Sequence, residues 1–287
     1  MARERYDAPM KPEERQAATP AGAVQLDATV LRGGTASASQ EWVADEVPVA
    51  MVYNGISHAV MLASPLDLED FALGFSLSEG ILDHADDLLD CEPVEAEIEG
   101  ASGITLDLRI TLRTFQRLKE HRRTLAGRTG CGVCGAERLA DAVRPVKRAV
   151  AGLAVDPAAV QRAMAELGTR QGLQQTTGAT HAAAWCALDG EVLVLREDVG
   201  RHNALDKLVG HLAKAGNDPR TGFVAVTSRA SYEMVHKTAT AGIGLLAAIS
   251  APTALAVRVA EQANLSLVGF ARGDRATVYH EARPLET

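Results

Sequence analysis

The hydrophobic pattern of the first 115 residues predicts a small unit of strands and a helix. Apolar residues fill Val47 to Ala63 on both sides of Asn54-Gly55, a dipeptide that strongly favours a two-residue hairpin turn. Ser64-Pro65 then opens a predicted helix, with the serine as its cap and Gly80 near its end. Every second residue is apolar from Ile104 to Leu112, which indicates a half-buried strand.

From Asp156 onward, continuous apolar strands alternate with amphipathic helices. Asp156 is the predicted cap of a helix with Pro157 in its first turn, and Asp189-Gly190 is a predicted turn between two strands. The predicted strands cover 181–188, 191–196, 223–227, 245–249 and 265–270, and the predicted helices between them cover 203–213, 232–241 and 252–263. This alternation predicts an α/β fold with a mixed, mostly parallel sheet covered by helices.

The chain divides into four predicted parts. Residues 1–25 form a polar, disordered tail, residues 26–120 the smaller N-terminal α+β unit, residues 121–150 a basic, glycine-rich loop, and residues 151–287 the α/β domain. The charged N-terminus lacks the apolar core of a signal peptide, and the longest apolar stretch is shorter than the roughly 20 residues of a membrane span. We therefore expect a cytoplasmic protein without a membrane segment.

Composition excludes several classes of function. Across 287 residues the formal net charge is −8 and aromatic residues make up 4%, which argues against nucleic acid and anionic membranes as partners. Four cysteines are too few for a disulfide scaffold. The acidic average conceals a basic island, because Arg109 to Arg148 contains 11 lysines and arginines against three acidic residues.

The only closely spaced cysteines, Cys131 and Cys134, lie in this basic island. Glycines on both sides disfavour a helix and indicate an exposed loop, and nearby positive charge lowers the pKa of a thiol. A thiolate on such a loop can attack a sulfur donor and hold a persulfide. The alternative is half of a zinc site, which would need ligands from elsewhere because Cys91 and Cys186 stand alone in the sequence.

Segments at the ends of predicted strands carry residues suited to an anion. These segments are Glu197–Asn203, Ser228–Ser231 and Ala271–Arg275. Parallel strands end at one edge of a sheet, where helix N-termini and arginines bind phosphate, so the three segments predict a crevice for a phosphate-bearing ligand. For each residue taken alone, a helix cap or a solvated charge is the simpler alternative. The sequence contains neither a GxGxxG nor a Walker lysine motif.

Two histidines and two carboxylates in this region have competing interpretations. His202 lies at a strand–helix junction that suits ligand contact or proton transfer, whereas His181 begins an apolar strand and is interpreted as structural. Glu197 and Asp198 could act as acid and base, but neighbouring carboxylates more often orient arginines or cap the next helix.

Long segments of the sequence resemble the formate dehydrogenase accessory sulfurtransferases, the FdhD family. The segments are RTGCGVCG, TGATHAAA, REDVGRHNALDKLVG, SRASYEMVHKTATAGI, SAPTALAV and LVGFARGDRATVY, and they follow the family order from about residue 45 to the C-terminus. The resemblance implies a cytidine-deaminase-like fold. It also implies a sulfur carrier that takes persulfide sulfur from a cysteine desulfurase and transfers it to Mo-bis(molybdopterin guanine dinucleotide) before this cofactor enters formate dehydrogenase.

The resemblance also assigns site residues. Cys131 matches the persulfide-bearing cysteine, and Cys134 is its partner. The family's cofactor-binding stretch matches Phe270, Ala271, Arg272, Gly273, Asp274 and Arg275. Five more residues belong to the predicted ligand site because they lie at the ends of predicted strands: Arg201, His202, Asn203, Ser228 and Arg229. A guanine nucleotide such as GDP is expected to occupy the same site.

We expect a homodimer whose partners are a cysteine desulfurase and formate dehydrogenase. No metal site is expected, because no H-x-E motif occurs and the zinc chemistry of deaminases then lacks its ligand set. Two other functions stay open at this point. One is a chaperone that binds the cofactor without covalent chemistry, and the other is a zinc-dependent, deaminase-like hydrolase.

Overall fold

The computed structural model describes residues 20–98, 101–124, 146 and 149–283, which form three sheets and seven helices. None of the helices in these ranges is long and apolar enough to cross a membrane. Cys131 and Cys134 lie outside the described residues, as does most of the predicted basic loop.

The N-terminal part contains an antiparallel ribbon and a four-stranded sheet. The ribbon consists of β1 (Ala23–Arg32) and β2 (Thr35–Ala44), so the first strand begins before residue 26. The sheet has the order β4-β3-β6-β5 and consists of β3 (Val47–Tyr53), β4 (Ile56–Ala63), β5 (Leu88–Ile98) and β6 (Ala101–Ile110). Helices α1 (Leu68–Ser78) and α2 (Leu112–Thr124) complete this α+β unit, and a 3₁₀ turn (Ala85–Asp87) precedes β5.

The second part is built on a six-stranded sheet with the order β12-β11-β10-β9-β7-β8. The strands are β7 (His181–Ala187), β8 (Val192–Asp198), β9 (Gly222–Val226), β10 (Leu245–Ala248), β11 (Ser266–Arg272) and β12 (Arg275–His280). The helices are α3 (Pro157–Arg170), α4 (Gly172–Thr177), α5 (Arg201–Ala215), α6 (Tyr232–Thr240) and α7 (Ala254–Ala263). Two apolar layers cover the sheet, one on each face.

The α/β class and the separate α+β unit are confirmed, with one correction to the sheet. Only β9, β10 and β11 pair in parallel, whereas β7 is antiparallel to both of its neighbours and β12 is antiparallel to β11. The sheet is therefore mixed rather than mostly parallel, because short turns connect β7 to β8 and β11 to β12. The likeness to cytidine deaminases stays a prediction.

Local signals predicted the turns and caps with one exception. Asn54 and Gly55 both have positive φ angles and form the predicted hairpin turn, and the Asp156 side chain accepts the predicted capping hydrogen bond from the Ala158 amide. The predicted cap at Ser64 is wrong. Helix α1 begins only after Asp67, because Ser64 is fully buried and bonds instead to residues near the start of α5.

Two glycines bring α1 and α5 into backbone contact and so join the two parts of the molecule. A Cβ atom on Gly74 would lie 1.7 Å from the carbonyl oxygen of Asp206, and one on Gly210 would lie 1.9 Å from that of Asp70. These distances leave no room for a side chain. The close approach of the helices therefore depends on glycine at both positions.

We expect Gly74→Ala to lower the free energy of unfolding by about 1–3 kcal/mol or more, because the two helix backbones must move apart. Urea denaturation followed by circular dichroism measures this change. Gly168→Ala is the matched control, since Gly168 lies in α3 and a Cβ there meets nothing within 4 Å. An equal loss in both variants would contradict the close-contact explanation.

Candidate functional site

The structure brings the three predicted strand-end segments to one edge of the six-stranded sheet. Asp198, at the end of β8, pairs with His181, and Val226, at the end of β9, pairs with Ala248 of β10. The Phe270 amide of β11 donates to the Ser250 carbonyl, at 3.1 Å. The carboxyl ends of β8, β9, β10 and β11 therefore meet at this edge, which we call the arginine edge.

Asp198 organises the turn that leads from β8 into α5. Its buried carboxylate accepts hydrogen bonds from the Gly200 amide at 2.7 Å and from Asn203 Nδ2 at 3.0 Å. It also accepts from the Ser64 amide at 3.0 Å and contacts Lys207 Nζ at 2.7 Å. A carboxylate with four donors orients the backbone and is not a free acid or base, which is the simpler of the two interpretations left open by the sequence.

Glu197 also has a structural role. Its carboxylate accepts hydrogen bonds from the amides of Leu173 and Gln174 at the start of α4, at 2.9 and 2.8 Å, and from Thr180 Oγ1 at 3.1 Å. Asn203 is buried, and its amide nitrogen already donates to the Leu62 carbonyl as well as to Asp198. Nδ2 of Asn203 is therefore engaged within the fold.

Arg201 and His202 lie in the first turn of α5, at the arginine edge. The Nε atom of Arg201 is buried without a hydrogen-bond partner, and so is the hydroxyl of Ser231, which directly precedes α6. His202 Nε2 lies 2.8 Å from Glu233 Oε2. Buried polar atoms normally have hydrogen-bond partners. The unpaired atoms of Arg201 and Ser231 therefore indicate a place where a ligand or solvent provides the partner.

The pKa values of two side chains are shifted in the direction that nearby positive charge favours. The close contact with His202 is the main cause of the lowered pKa of the Glu233 carboxyl, although partial burial opposes it. Burial lowers the pKa of the His181 imidazole, and the positive charges of Arg201 and His202 lower it further. An anion bound here would meet these charges near the N-termini of α5 and α6.

The stretch predicted to bind the cofactor, Phe270 to Arg275, forms the end of β11 and the turn into β12. Phe270 has a φ angle of 50°, a left-handed conformation that is strained for a residue with a side chain. The Arg275 guanidinium lies 4.7 Å from the centre of the Phe270 ring, at cation–π distance. Gly273, with a φ angle of 59°, and Asp274 form the exposed turn, and Ala271 is buried.

The remaining predicted residues lie at the same edge. Arg229, Arg272 and Arg275 are exposed. Ser228 is buried, and its hydroxyl donates to the Arg229 carbonyl at 3.0 Å. The arginine edge thus combines exposed guanidinium groups with two helix N-termini, an arrangement that can bind phosphate.

A cleft of about 1210 Å³ lies at the opposite edge of the sheet. The last turns of α1, α5 and α6 line it, together with Arg117 of α2 and Val146. Arg117 precedes the segment that carries Cys131 and Cys134, and Val146 follows it. The described flanks of the cysteine segment therefore lie at this cleft.

The two described cysteines are poor nucleophiles. Burial raises the pKa of Cys91 and of Cys186 to about 12, so both remain protonated thiols near neutral pH. Residues 20–98, 101–124, 146 and 149–283 contain no group of three or more histidine, cysteine or acidic side chains placed to hold a metal ion.

Sequence reasoning missed two residues that shape the arginine edge, Ser64 and Lys207. Lys207 is completely buried, and its ammonium donates to the Ser64 carbonyl at 3.0 Å in addition to its contact with Asp198. A signal was present, because Asp206 and Lys207 stand between Leu205 and Leu208 in the apolar middle of a helix that is buried on most sides. Charged residues inside an apolar stripe indicate a buried ion pair.

Comparison with known proteins finds matches to one protein family over most of the chain. Residues 44–285 match the model of the FdhD/NarQ family. A sulfur carrier protein FdhD from Cupriavidus necator is 58% identical over 258 residues, which cover 89% of this chain and 87% of the relative. A protein of the same name from Variovorax paradoxus is 54% identical over 260 residues, covering 91% and 92% of the two chains.

A solved structure shares the fold. The crystal structure of a putative formate dehydrogenase accessory protein from Desulfotalea psychrophila has a TM-score of 0.67 to this chain and covers 91% of it and 97% of its own length. The two sequences are 21% identical, so this likeness supports the architecture alone.

We expect Arg201→Gln to raise the pKa of His181 towards its ordinary value of 6.5, because the substitution removes a nearby positive charge. Titration of the imidazole signals by NMR measures this pKa. Arg258→Gln, which changes an exposed arginine on α7, is the control and should leave the pKa unchanged. An unaltered His181 pKa in Arg201→Gln would show that Arg201 does not set the potential of this edge.

Proposed function

Because the chain belongs to the FdhD/NarQ family, we propose that it is a sulfur carrier that serves the maturation of formate dehydrogenase. The different chemical settings of its cysteines carry the proposal. Cys91 and Cys186 are held as high-pKa thiols by burial, which leaves Cys131 and Cys134, within the basic island, for sulfur chemistry.

Cys131 receives the sulfur from a cysteine desulfurase. The Cys131 thiolate attacks the terminal sulfur of a persulfide on the donor enzyme, and a new S–S bond forms as the bond to the donor cysteine breaks. The donor leaves as a thiolate, and its sulfur remains as a persulfide on Cys131. The positive charges between Arg109 and Arg148 favour the thiolate that begins this step.

Cys134 releases the sulfur from Cys131. Its thiolate attacks the Sγ atom of Cys131, the outer sulfur departs as hydrosulfide with the electron pair of the broken S–S bond, and a Cys131–Cys134 disulfide remains. The two cysteine thiols thus supply the two electrons that reduce the transferred sulfur. A cellular dithiol reductant then restores both thiols for the next cycle.

The acceptor substrate is Mo-bis(molybdopterin guanine dinucleotide), bound at the arginine edge. Arg201, Arg229, Arg272 and Arg275 hold its phosphates, and the N-termini of α5 and α6 add their positive ends. The unpaired Arg201 Nε and Ser231 Oγ atoms support a polar ligand at this place. GDP, which carries the guanine nucleotide part of the cofactor, occupies the same site.

The protein acts as a sulfurtransferase in the cytoplasm, as a homodimer that contacts the cysteine desulfurase and formate dehydrogenase in turn. A cofactor chaperone without covalent chemistry would use the same arginine edge but would not need Cys131. The covalent step therefore separates these two functions.

We expect the full-length protein, incubated with a cysteine desulfurase and cysteine, to gain the mass of one sulfur atom on Cys131. Intact-protein and peptide mass spectrometry measure this gain. Cys131→Ala should abolish it, whereas Cys134→Ala should keep the persulfide and release sulfide much more slowly, because the resolving thiol is missing.

Cys186→Ala is the matched control and should load sulfur normally, since Cys186 is buried. Restored formate dehydrogenase activity in cells that contain only Cys131→Ala would contradict covalent sulfur transfer and favour the chaperone.

We also expect Arg229→Ala and Arg272→Ala each to weaken GDP binding by about tenfold or more, because each removes a charge-assisted contact to phosphate. Isothermal titration calorimetry measures the Kd. Arg162→Ala is the control, since Arg162 is an exposed arginine of α3 that pairs with Asp189. Unchanged GDP affinity in both test variants would show that these arginines do not bind the nucleotide.

A further inference from the structure

A completely buried ion pair lies directly beneath the arginine edge. The side chains of Asp198 and Lys207 have no exposed surface, and Oδ2 of the carboxylate lies 2.7 Å from Nζ of the ammonium. Burial lowers the pKa of Lys207, although Asp198 opposes this effect. Apolar residues of similar volume usually stabilise a fold as well as such a pair does, so stability alone does not explain its presence.

The hydrogen bonds of the pair converge on the turn between β8 and α5. Asp198 Oδ1 accepts from the Gly200 amide, and the Val199 amide donates to Ser64 Oγ at 3.2 Å. Ser64 is in turn held through its own amide by Asp198 and through its carbonyl by Lys207. These contacts fix both ends of the turn from which the Arg201 side chain extends.

A second buried ion pair on the same helix offers a comparison. Asp206 lies 2.9 Å from Lys237, and both side chains are almost completely buried. Their further side-chain partners are Ser78 and Glu79 at the C-terminal end of α1, and the side chains of Asp206 and Lys237 have no hydrogen bond to residues 199–202. Burial opposes the charge of Lys237, but Asp206 and Glu79 outweigh it and keep the pKa of Lys237 above its ordinary value.

We propose that Asp198 and Lys207 are positioning residues, which hold residues 199–202 so that Arg201 and the first amides of α5 face the phosphates of the bound guanine nucleotide. The inference rests on the proposed function, in which the arginine edge binds that nucleotide. The Asp206–Lys237 pair has no such role and serves only the packing of α1, α5 and α6.

Two matched double variants of the full-length protein separate positioning from stability. Asp198→Leu/Lys207→Met and Asp206→Leu/Lys237→Met each replace one buried ion pair with apolar side chains; the second also removes the Lys237 contact of Glu79, whose side chain is partly exposed to solvent. We expect the first variant to raise the Kd for GDP about tenfold, as the loss of orienting partners commonly does, and the second to leave it unchanged. Calorimetry measures both Kd values, and urea denaturation measures both stabilities.

Amide hydrogen exchange gives a readout that does not require nucleotide binding. The Gly200 amide should exchange much faster in Asp198→Leu/Lys207→Met than in the wild-type protein, because its acceptor is gone, and it should be unaffected in the other variant. If Asp198→Leu/Lys207→Met does not fold, Asp198→Asn serves instead, since it keeps the size of the side chain but turns an amide N–H group towards Lys207.

An unchanged GDP affinity in the Asp198 variant would overturn the proposal, and so would equal losses of affinity in the two double variants. A wild-type protein that does not bind GDP would instead refute the proposed nucleotide site. In that case, exchange at Gly200 still decides whether the ion pair holds the turn.

Discussion

The contact between α1 and α5 is the constraint on which the rest of the molecule depends. Gly74 and Gly210 allow the two backbones to touch, and this contact unites the N-terminal unit with the six-stranded sheet. Three ion pairs surround it, Asp198–Lys207, Asp206–Lys237 and Arg196–Asp70, with closest distances of 2.7, 2.9 and 2.7 Å. Of these pairs only Arg196–Asp70 joins α1 to the six-stranded sheet, and the Ser78 hydroxyl of α1 also donates to Asp206 of α5, so a wider helix separation would break these two contacts.

Helix α5 runs from the arginine edge to the cleft at the opposite edge of the sheet. Its first turn carries Arg201 and His202 at the arginine edge, while Leu212 and Ala213 near its end line the cleft beside Val146. The 15 residues of the helix span about 22 Å. The N-terminus of α5, which is the positive end of the helix dipole, faces the proposed phosphates. The proposed acceptor site and the described flanks of the cysteine segment thus lie at opposite ends of one helix.

Elements with regular patterns were predictable from the sequence, and irregular edge elements were not. The hairpin at Asn54-Gly55, the cap at Asp156 and the alternation of the second half all have local causes, and the structure contains each of them. Strands β5 and β12 were missed because their sequences lack the apolar pattern of a strand: β5 is rich in acidic residues and contains a proline, and β12 is half exposed. Such composition protects an edge from aggregation and also removes the apolar pattern of a strand.

The sequence by itself determined the α/β class, the positions of most elements, the family resemblance and the residue types suited to sulfur and phosphate. These properties follow from local periodicity, turn chemistry and residue order. Only the tertiary structure decided that Ser64 supports the start of α5 instead of capping α1, that Glu197 and Asp198 are structural acceptors, and that Lys207 is buried. The reason is physical, because the role of a polar side chain is set by the partners that burial brings to it, and these partners come from distant parts of the chain.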